Sequence, residues 1–461
     1  MRNFSMKDKI GYTLGDLGCC CTEQFRAMFL TVFYTLVLKV NPIHVGTIML
    51  ITKFWDAIND PIIGAIIDSR KAKAGKKFIP WIRAFSIPCA ILMCIGFLNV
   101  SNLDYGLKLA YILITYVLYE AMYTCVNVPF GSLSSVMTDD TNHRTDLSRY
   151  RSLGGTIFMT IIVIVGPLFL YKDNVPVPSN FLLLAIICAC VSVFCLQITS
   201  VWCKERVELP HVEKEKFNYF EVLKNISKNK ALLGVIIASL VGMISASVVN
   251  GLNTYLFKDY FGNVKIMAVS GMLSTVYSII TFVGTKFVAN KFGKKEWCMY
   301  GAGFAVIVYG VLFFFPISNP IMFIVINGVC YIGASGFQIL IWAMVNDSID
   351  YQELQTGTRN ESIIYSTYSF FRKLAAALSS SLSSFMLAFI GYNVHASTQT
   401  AEVVSKLWKS YTGIYSVGYL IAILALFFIY PLGKKKTQEM LEELSIKRKN
   451  IEKSYKVKQK I

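Results

Sequence analysis

Charge is scarce in this chain, and histidine is scarcer. Asp, Glu, Lys and Arg make up 16% of the 461 residues, where soluble domains carry about a quarter. That shortage excludes an ordinary water-soluble globular fold. There are four histidines, His44, His143, His211 and His395, and all fall in or near predicted loops. A histidine proton relay is therefore excluded, and carboxylates must do any proton work. No phosphate-binding Walker sequence, nucleotide-binding pattern or catalytic triad is present. The one glycine-rich candidate, Gly154-Gly155, lacks the lysine and the strand context. A primary pump and a membrane enzyme find little support on that ground, so no enzymatic activity and no organic cofactor are expected. The twelve cysteines have no metal-ligand spacing and read as small packing residues. Even Cys19-Cys20-Cys21 is a weak metal candidate, because consecutive helix positions point in different directions. The first apolar run has no small-residue cleavage site and carries Asp16, Glu23 and Arg26, so it is not a cleavable signal peptide.

What the chain has is apolar length. It is 54% hydrophobic, with a mean hydropathy of +0.52. Runs near the ~20 residues that a bilayer needs recur throughout. The expected spans are 11–38, 42–67, 80–98, 106–137, 149–171, 180–203, 231–257, 265–290, 296–316, 319–346, 362–391 and 408–432. The fold class is thus an all-α membrane protein of twelve transmembrane helices in two six-helix halves. The net charge of +17 is not a nucleic-acid footprint, because it sits in particular loops. Residues 68–83 hold Arg70, Lys71, Lys73, Lys76, Lys77 and Arg83, and the end of the chain is rich in lysine, while 101–105 and 173–179 are nearly free of cations. The positive-inside rule then puts both termini and the central loop in the cytoplasm.

The longest polar insert, 204–230, reads as a cytoplasmic linker between an N-terminal bundle (1–203) and a C-terminal bundle (231–433), with a basic tail at 434–461. The halves resemble each other weakly. Gly75-Lys76-Lys77 answers Gly293-Lys294-Lys295, Val126-Asn127 answers Val345-Asn346, and Arg144-Thr145-Asp146 answers Arg359-Asn360-Glu361. Such a duplication points to a transporter that rocks one half against the other around a midplane site. A channel would be expected to show a filter or selectivity ring instead. Arg144, Arg359 and Glu361, together with Asp68 in the loop that follows the second span, are candidate gating residues.

The segment Trp55 to Pro61 places Asp56, Asn59 and Asp60 inside the second span. Asp56 and Asp60 are four residues apart and share a helix face. Charge at membrane depth is costly and marks an ion or substrate path. Two carboxylates and an amide oxygen suit a small hard cation or a shared proton. The fourth span carries Tyr123, Thr124, Asn127, Pro129 and Gly131. Thr124 and Asn127 lie toward one side, and Pro129 frees the Cys125 carbonyl to bind a cation or water. A packing kink explains this segment equally well. Glu23 and Arg26 are three apart. They read either as a local helix salt bridge or, for Arg26, as a contact for an anionic or polyhydroxylated substrate. Lys373 lies some eleven residues past the start of the eleventh span, at mid-bilayer depth for a rise of about 1.5 Å per residue. It needs an anion, for which Asp56 or Asp60 is the natural candidate. Arg372 points to another side, toward headgroups or the cavity.

Gly64 to Arg70 with Gly75-Lys76-Lys77 looks like the cytoplasmic loop of the major facilitator superfamily. Taken with Trp55–Pro61, Tyr123–Ser132 and Asp350 through Arg372-Lys373, the chain resembles the glycoside-pentoside-hexuronide:cation symporter family over almost its whole length. The resemblance implies cation binding (H⁺ or Na⁺) by Asp56, Asp60 and Thr124, with Asn59 beside them; the two aspartates would be the metal ligands if the ion is Na⁺. It implies sugar contacts at Cys20, Tyr123, Asn127, Gly131 and Arg151, and a functional lysine at Lys373. The melibiose carrier of that family has aspartate at the positions of Cys20 and Asn127 and tryptophan at that of Gly131, so this chain looks more like the glucuronide carrier branch. With two acids fewer, the cavity favours a substrate bearing a carboxylate; Glu23, Arg26, Arg372 and Lys373 complete the candidate substrate residues. Pentosides remain open. The expected function is cation-coupled symport of a sugar or glycoside by a monomer in the lipid bilayer of a bacterial-type inner membrane, without nucleic acid. The alternative is a sugar sensor that binds without translocating.

Overall fold

A computed structural model describes residues 4–69, 76–138, 140–206, 229–356 and 361–458. Each of the twelve expected spans falls on a helix. In chain order these are α1 (Met6–Val32), α2 (Pro42–Ser69), α3 (Ile79–Gly96), α4 (Tyr105–Met137), α5 (Thr141–Leu170), α6 (Pro178–Trp202), α7 (Lys230–Tyr255), α8 (Ile266–Phe292), α9 (Lys294–Phe314), α10 (Pro320–Thr356), α11 (Glu361–Phe389) and α12 (Ala401–Phe428). Most of the expected linker, residues 207–228, lies outside the described residues. The expected tail folds as α13 (Lys434–Lys458), and its Met440 and Leu444 are buried in a core with Leu232, Met344 and Tyr430. Among the described residues, eight helices are long and apolar enough to cross a membrane by length and composition. α1 and α2 fall short because each carries charge in its middle: Asp16, Glu23 and Arg26 in one, Lys53, Asp56 and Asp60 in the other.

Large apolar side chains face outward. Phe287, Phe314, Phe389 and Phe428 are each more than 70% exposed. In water such a surface would drive association; against lipid it matches the solvent, while the helices satisfy their own backbone groups. The chain is a multi-pass membrane protein.

Its contacts define two compact units. The first comprises the described residues of Met1–Glu213 with Gly251–Met272 and Ser380–Val404; the second comprises those of Lys214–Asn250, Leu273–Ser379 and Ser405–Ile461. This partition differs from a simple division at the linker, because ends of α7, α8, α11 and α12 join the first unit.

In the first unit, α1 lies between α5 and α6 at backbone distance. A Cβ on Gly154 would sit 2.4 Å from the Thr13 carbonyl oxygen and 2.7 Å from the Leu17 nitrogen. Across the other side, Ser192 and Thr199 of α6 donate hydroxyl hydrogen bonds to the carbonyls of Gly18 (2.7 Å) and Gly11 (2.8 Å). Polar loop groups fix one end of the bundle. The Glu205 carboxylate accepts the N–H groups of Lys77, Phe78 and Ile79 at 2.7–2.9 Å and so caps α3. Arg206 pairs with the buried Asp8 at 2.9 Å. Lys9 reaches Asp146 at 2.5 Å, and that hydrogen bond holds the Asp146 carboxyl below its ordinary value.

The internal repeat shows in the backbone. α1 and α7 each run into a five-residue π-helical turn, Phe33–Val37 and Leu256–Tyr260. Each turn is followed by a left-handed residue, Lys39 (φ 58°) and Gly262 (φ 66°). The two turns lie 223 residues apart, at 33 and 256, close to the offset of the sequence matches. The Thr35 and Tyr255 hydroxyls, one from each copy, are hydrogen-bonded.

Replacing Gly154 by Ala tests the close approach of α1 and α5. Propensity alone would stabilise the helix by up to about 1 kcal/mol. The clash with backbone atoms reverses the sign and costs about 1–3 kcal/mol or more. Thermal unfolding of the purified variant should move to lower temperature; an unchanged or raised midpoint would refute the packing described.

Candidate functional site

Helix periodicity brings polar side chains from four helices of the first unit together. On α1, Asp16, Cys20 and Glu23 recur at i, i+4 and i+7; on α2, Lys53, Asp56 and Asp60 do so at i, i+3 and i+7; on α4, Glu120, Thr124, Asn127 and Gly131 follow the same spacing. α5 adds Arg151 and Gly155.

The α2–α4 seam holds the expected cation ligands. The Thr124 hydroxyl donates to Asp60 Oδ1 at 2.9 Å, and Thr124 itself is buried. Asp56 lies one turn before Asp60. Asn59 is buried, and its Nδ2 has no hydrogen-bond partner among the described residues. Two carboxylates, a hydroxyl and an amide are the oxygen donors that a hard cation takes. Among the described residues no group of three His, Cys, Asp or Glu side chains is gathered as for a transition metal.

One turn away on the same seam is a buried charge cluster that sequence reasoning missed. Glu120 is 2% exposed and Arg26 5%. Glu120 Oε1 lies 3.6 Å from both Arg26 Nη1 and Lys53 Nζ, and Lys53 is 4.0 Å from Glu23 Oε1. The Arg26 guanidinium also stacks on Tyr119 (3.5 Å to the ring centre) and Tyr116 (4.4 Å). The local Glu23–Arg26 bridge considered from sequence does not form; each residue finds its partner on another helix. Arg26 is thus committed to Glu120 and two tyrosines. Lys53 and Glu120 carried a readable signal, since each is a charge inside a span at helical spacing from the aspartates or from Thr124.

The third cluster centres on Asp16, also missed. Its Oδ1 accepts from Arg151 Nε at 3.1 Å and its Oδ2 from the Gly155 N–H at 2.9 Å. The Cys20 thiol points at the same oxygen, 3.8 Å away. The Arg151 guanidinium lies 5.4 Å from the Phe130 ring centre, and Phe130 stacks on Tyr12. Among the described residues, a Cβ on Gly131 would meet only Arg151 Nη1 within 4 Å, at 3.9 Å. A mid-helix glycine costs about 1 kcal/mol relative to alanine, and no packing partner here demands it. The space it leaves adjoins the guanidinium. Tyr123 is half-buried and stacked on Tyr119, and Asn127 is half-buried on the same helix face.

The remaining candidates are dispersed or undescribed. Arg372 belongs to the second unit, is exposed, and lies 5.6 Å from the Trp342 ring centre. Arg359 falls outside the described residues, as do the side chains of Asp68, Arg144, Glu361 and Lys373.

Carboxylates within apolar helices, beside an arginine and an open glycine, fit a transporter. The profile of the MFS/sugar transport protein family matches residues 11–434. The chain belongs to that family. It is a sugar transporter of the major facilitator type and not an enzyme, and the likeness to the glycoside-pentoside-hexuronide symporters is borne out by its relatives. The uncharacterised symporter YjmB of Bacillus subtilis (strain 168) is 31% identical over 96% of both chains. A protein of Escherichia coli (strain K12), provisionally named a sulfoquinovose importer, is 28% identical over 97% of this chain and 95% of its own length. The glucuronide carrier protein homolog of the same organism is 26% identical over 97% of each. Solved structures share the fold. A bacterial homologue of the iron transporter ferroportin superposes with a TM-score of 0.65 at 11% identity, covering 93% of this chain and 100% of that one. A D-xylose–proton symporter gives 0.59 at 12% identity, covering 92% and 98%.

The void beside Gly131 yields a test. Gly131→Ala should leave thermal stability unchanged or raise it by up to about 1 kcal/mol. Gly131→Trp should fold yet transport poorly, because the indole fills the space next to Arg151. Full transport by a folded Gly131→Trp carrier would show that the void is not on the substrate path.

Proposed function

We propose that this family member is a cation-coupled symporter for an anionic sugar, a glycoside or monosaccharide bearing a carboxylate or sulfonate. The observation that carries the reading is the juxtaposition, within one unit, of the Asp60–Thr124 contact and the Arg151–Asp16 pair beside an open Gly131. Asp56, Asp60, Asn59 and Thr124 take the coupling ion, H⁺ or Na⁺. Arg151, Tyr123, Asn127 and Cys20 line the sugar path. Both oxygens of Asp16 are engaged, whereas an arginine has five N–H donors and Arg151 commits its Nε to Asp16. Donors therefore outnumber acceptors there, which suits an acid group on the substrate. Two relatives carry names that specify sulfoquinovose and glucuronide, both anionic sugars.

Arg26 has a smaller part in this reading than its position suggested, because its charge is spent inside the protein. The carrier works as a monomer in this reading. Cation-rich loops put both termini in the cytoplasm, and Asp68, Arg144, Arg359 and Glu361 gate from that side. A non-translocating sensor is the rival. Counterflow of labelled substrate in proteoliposomes separates the two, since a sensor binds without exchange.

Two outcomes are expected. Asp60→Asn should abolish accumulation against a gradient while leaving downhill exchange measurable; a variant that still concentrates substrate with an unchanged cation requirement defeats the coupling assignment. Methyl glucuronide should compete better than methyl glucoside by roughly ten- to a hundredfold, the worth of a desolvated charge-assisted contact. Arg151→Gln should erase that preference. Equal competition in the wild-type protein would end the anionic reading in favour of neutral sugars.

A further inference from the structure

The Glu120 cluster is closed by charge but not by hydrogen bonds. Its nearest cations stand 3.6 Å from one carboxylate oxygen, beyond normal hydrogen-bond length. That oxygen, Glu23 Oε2, the Tyr119 hydroxyl and Asn59 Nδ2 are all buried without a hydrogen-bond partner among the described residues. The groups facing Glu120 are Arg26 and Glu23 from α1 and Lys53 and Asp56 from α2, with Tyr119 on its own helix and Cys89 of α3 behind it. Two acids, Glu23 and Glu120, balance two bases, Arg26 and Lys53. Asp56 and Asp60 lie on the same seam as these four groups, and Asp56 interacts electrostatically with both Lys53 and Glu120.

We infer that Glu120 is a positioning residue for cation coupling: it holds Arg26 and Lys53 so that their charges do not compete with the coupling ion for Asp56 and Asp60. This inference rests on the symport reading. Lys53 is three residues from Asp56 on one helix face, and Glu120 is one turn from Thr124, the partner of Asp60. Removing the Glu120 charge leaves one uncompensated buried cation next to the ion site. At an effective dielectric of about 20, an extra unit charge anywhere within ~10 Å weakens cation binding by more than about tenfold.

The test reads cation binding directly. Purified protein in detergent is titrated with NaCl at fixed pH, and separately with acid at fixed salt, following tryptophan fluorescence; Trp55 adjoins Asp56. Glu120→Gln should raise the half-saturating cation concentration at least about tenfold. Glu120→Asp should restore it to within about threefold of wild type, and so should the double variant Glu120→Gln/Lys53→Gln, which removes the acid and one base together. If Glu120→Gln does not fold, the double variant decides: near-wild-type cation binding supports the inference, and binding tenfold weaker overturns it. A folded Glu120→Gln protein with unchanged half-saturation and only lower thermal stability assigns Glu120 a structural part and also overturns the inference. A wild-type protein that responds to neither Na⁺ nor acid defeats the symport reading itself, and this inference falls with it.

Discussion

No charge can stand alone in hydrocarbon, and the arrangement of α1, α2, α4 and α5 follows from that constraint. A path for a polar sugar through the bilayer brings polar and ionised groups to membrane depth. Each must then find its counter-charge inside the protein or be neutralised by cargo. Asp16 finds Arg151, and Glu120 finds Arg26 and Lys53. The helices that supply these groups are held in register by close packing, with α1 against the backbone of α5 at Gly154 and accepting hydroxyl hydrogen bonds from α6. Precise helix placement is therefore a condition of electrostatic balance, because an ion pair stretched by a few ångströms in a low-dielectric interior loses much of its attraction.

The same constraint explains what was legible in the sequence. Spans announce themselves by apolar length, and every expected span falls on a helix. Asp60 and Thr124 were readable because their spacing and their resemblance to a known family agreed, and the structure bonds them. Arg26 was read against its near neighbour Glu23. An i, i+3 pair contributes only about 0.2–0.5 kcal/mol on an open helix, and in the folded bundle Arg26 instead meets a more deeply buried carboxylate on α4. Glu120, Lys53 and Asp16 lay in plain view as charges within spans. They were passed over because their meaning is tertiary: no local pattern says which α4 acid faces which α1 base. The side chains of Lys373 and of the four gating candidates are not among those described, so their sequence reading stands as an expectation.

The repeat was also under-read. Three short matches suggested duplication, yet the stronger sign is conformational. Two π-helical turns end α1 and α7, and each is followed by a residue at positive φ. The second copy uses glycine there, where a left-handed backbone is free of strain, and the first uses Lys39. Sequence comparison sees Gly262 and Lys39 as unlike; the backbone treats them alike. Thr35 and Tyr255, unlike in sequence too, meet as hydroxyl partners beside these turns.

Under the proposed function, substrate charge and ion coupling are two sides of one electrostatic account. Where the sugar binds, a carrier that lacks acids at Cys20 and Asn127 cannot grip neutral hydroxyls with paired carboxylates, and it leaves Arg151 donors in excess. An anionic substrate brings a negative charge into the same unit that already holds Asp56 and Asp60. Entry of that charge is unfavourable unless a cation enters as well, so the coupling ion is favoured by the substrate and the substrate by the coupling ion. By linkage each must raise the affinity of the other by the same factor. For such a carrier, coupling requires no contact between ion and sugar; it follows from the sign of the charges and their shared low-dielectric chamber.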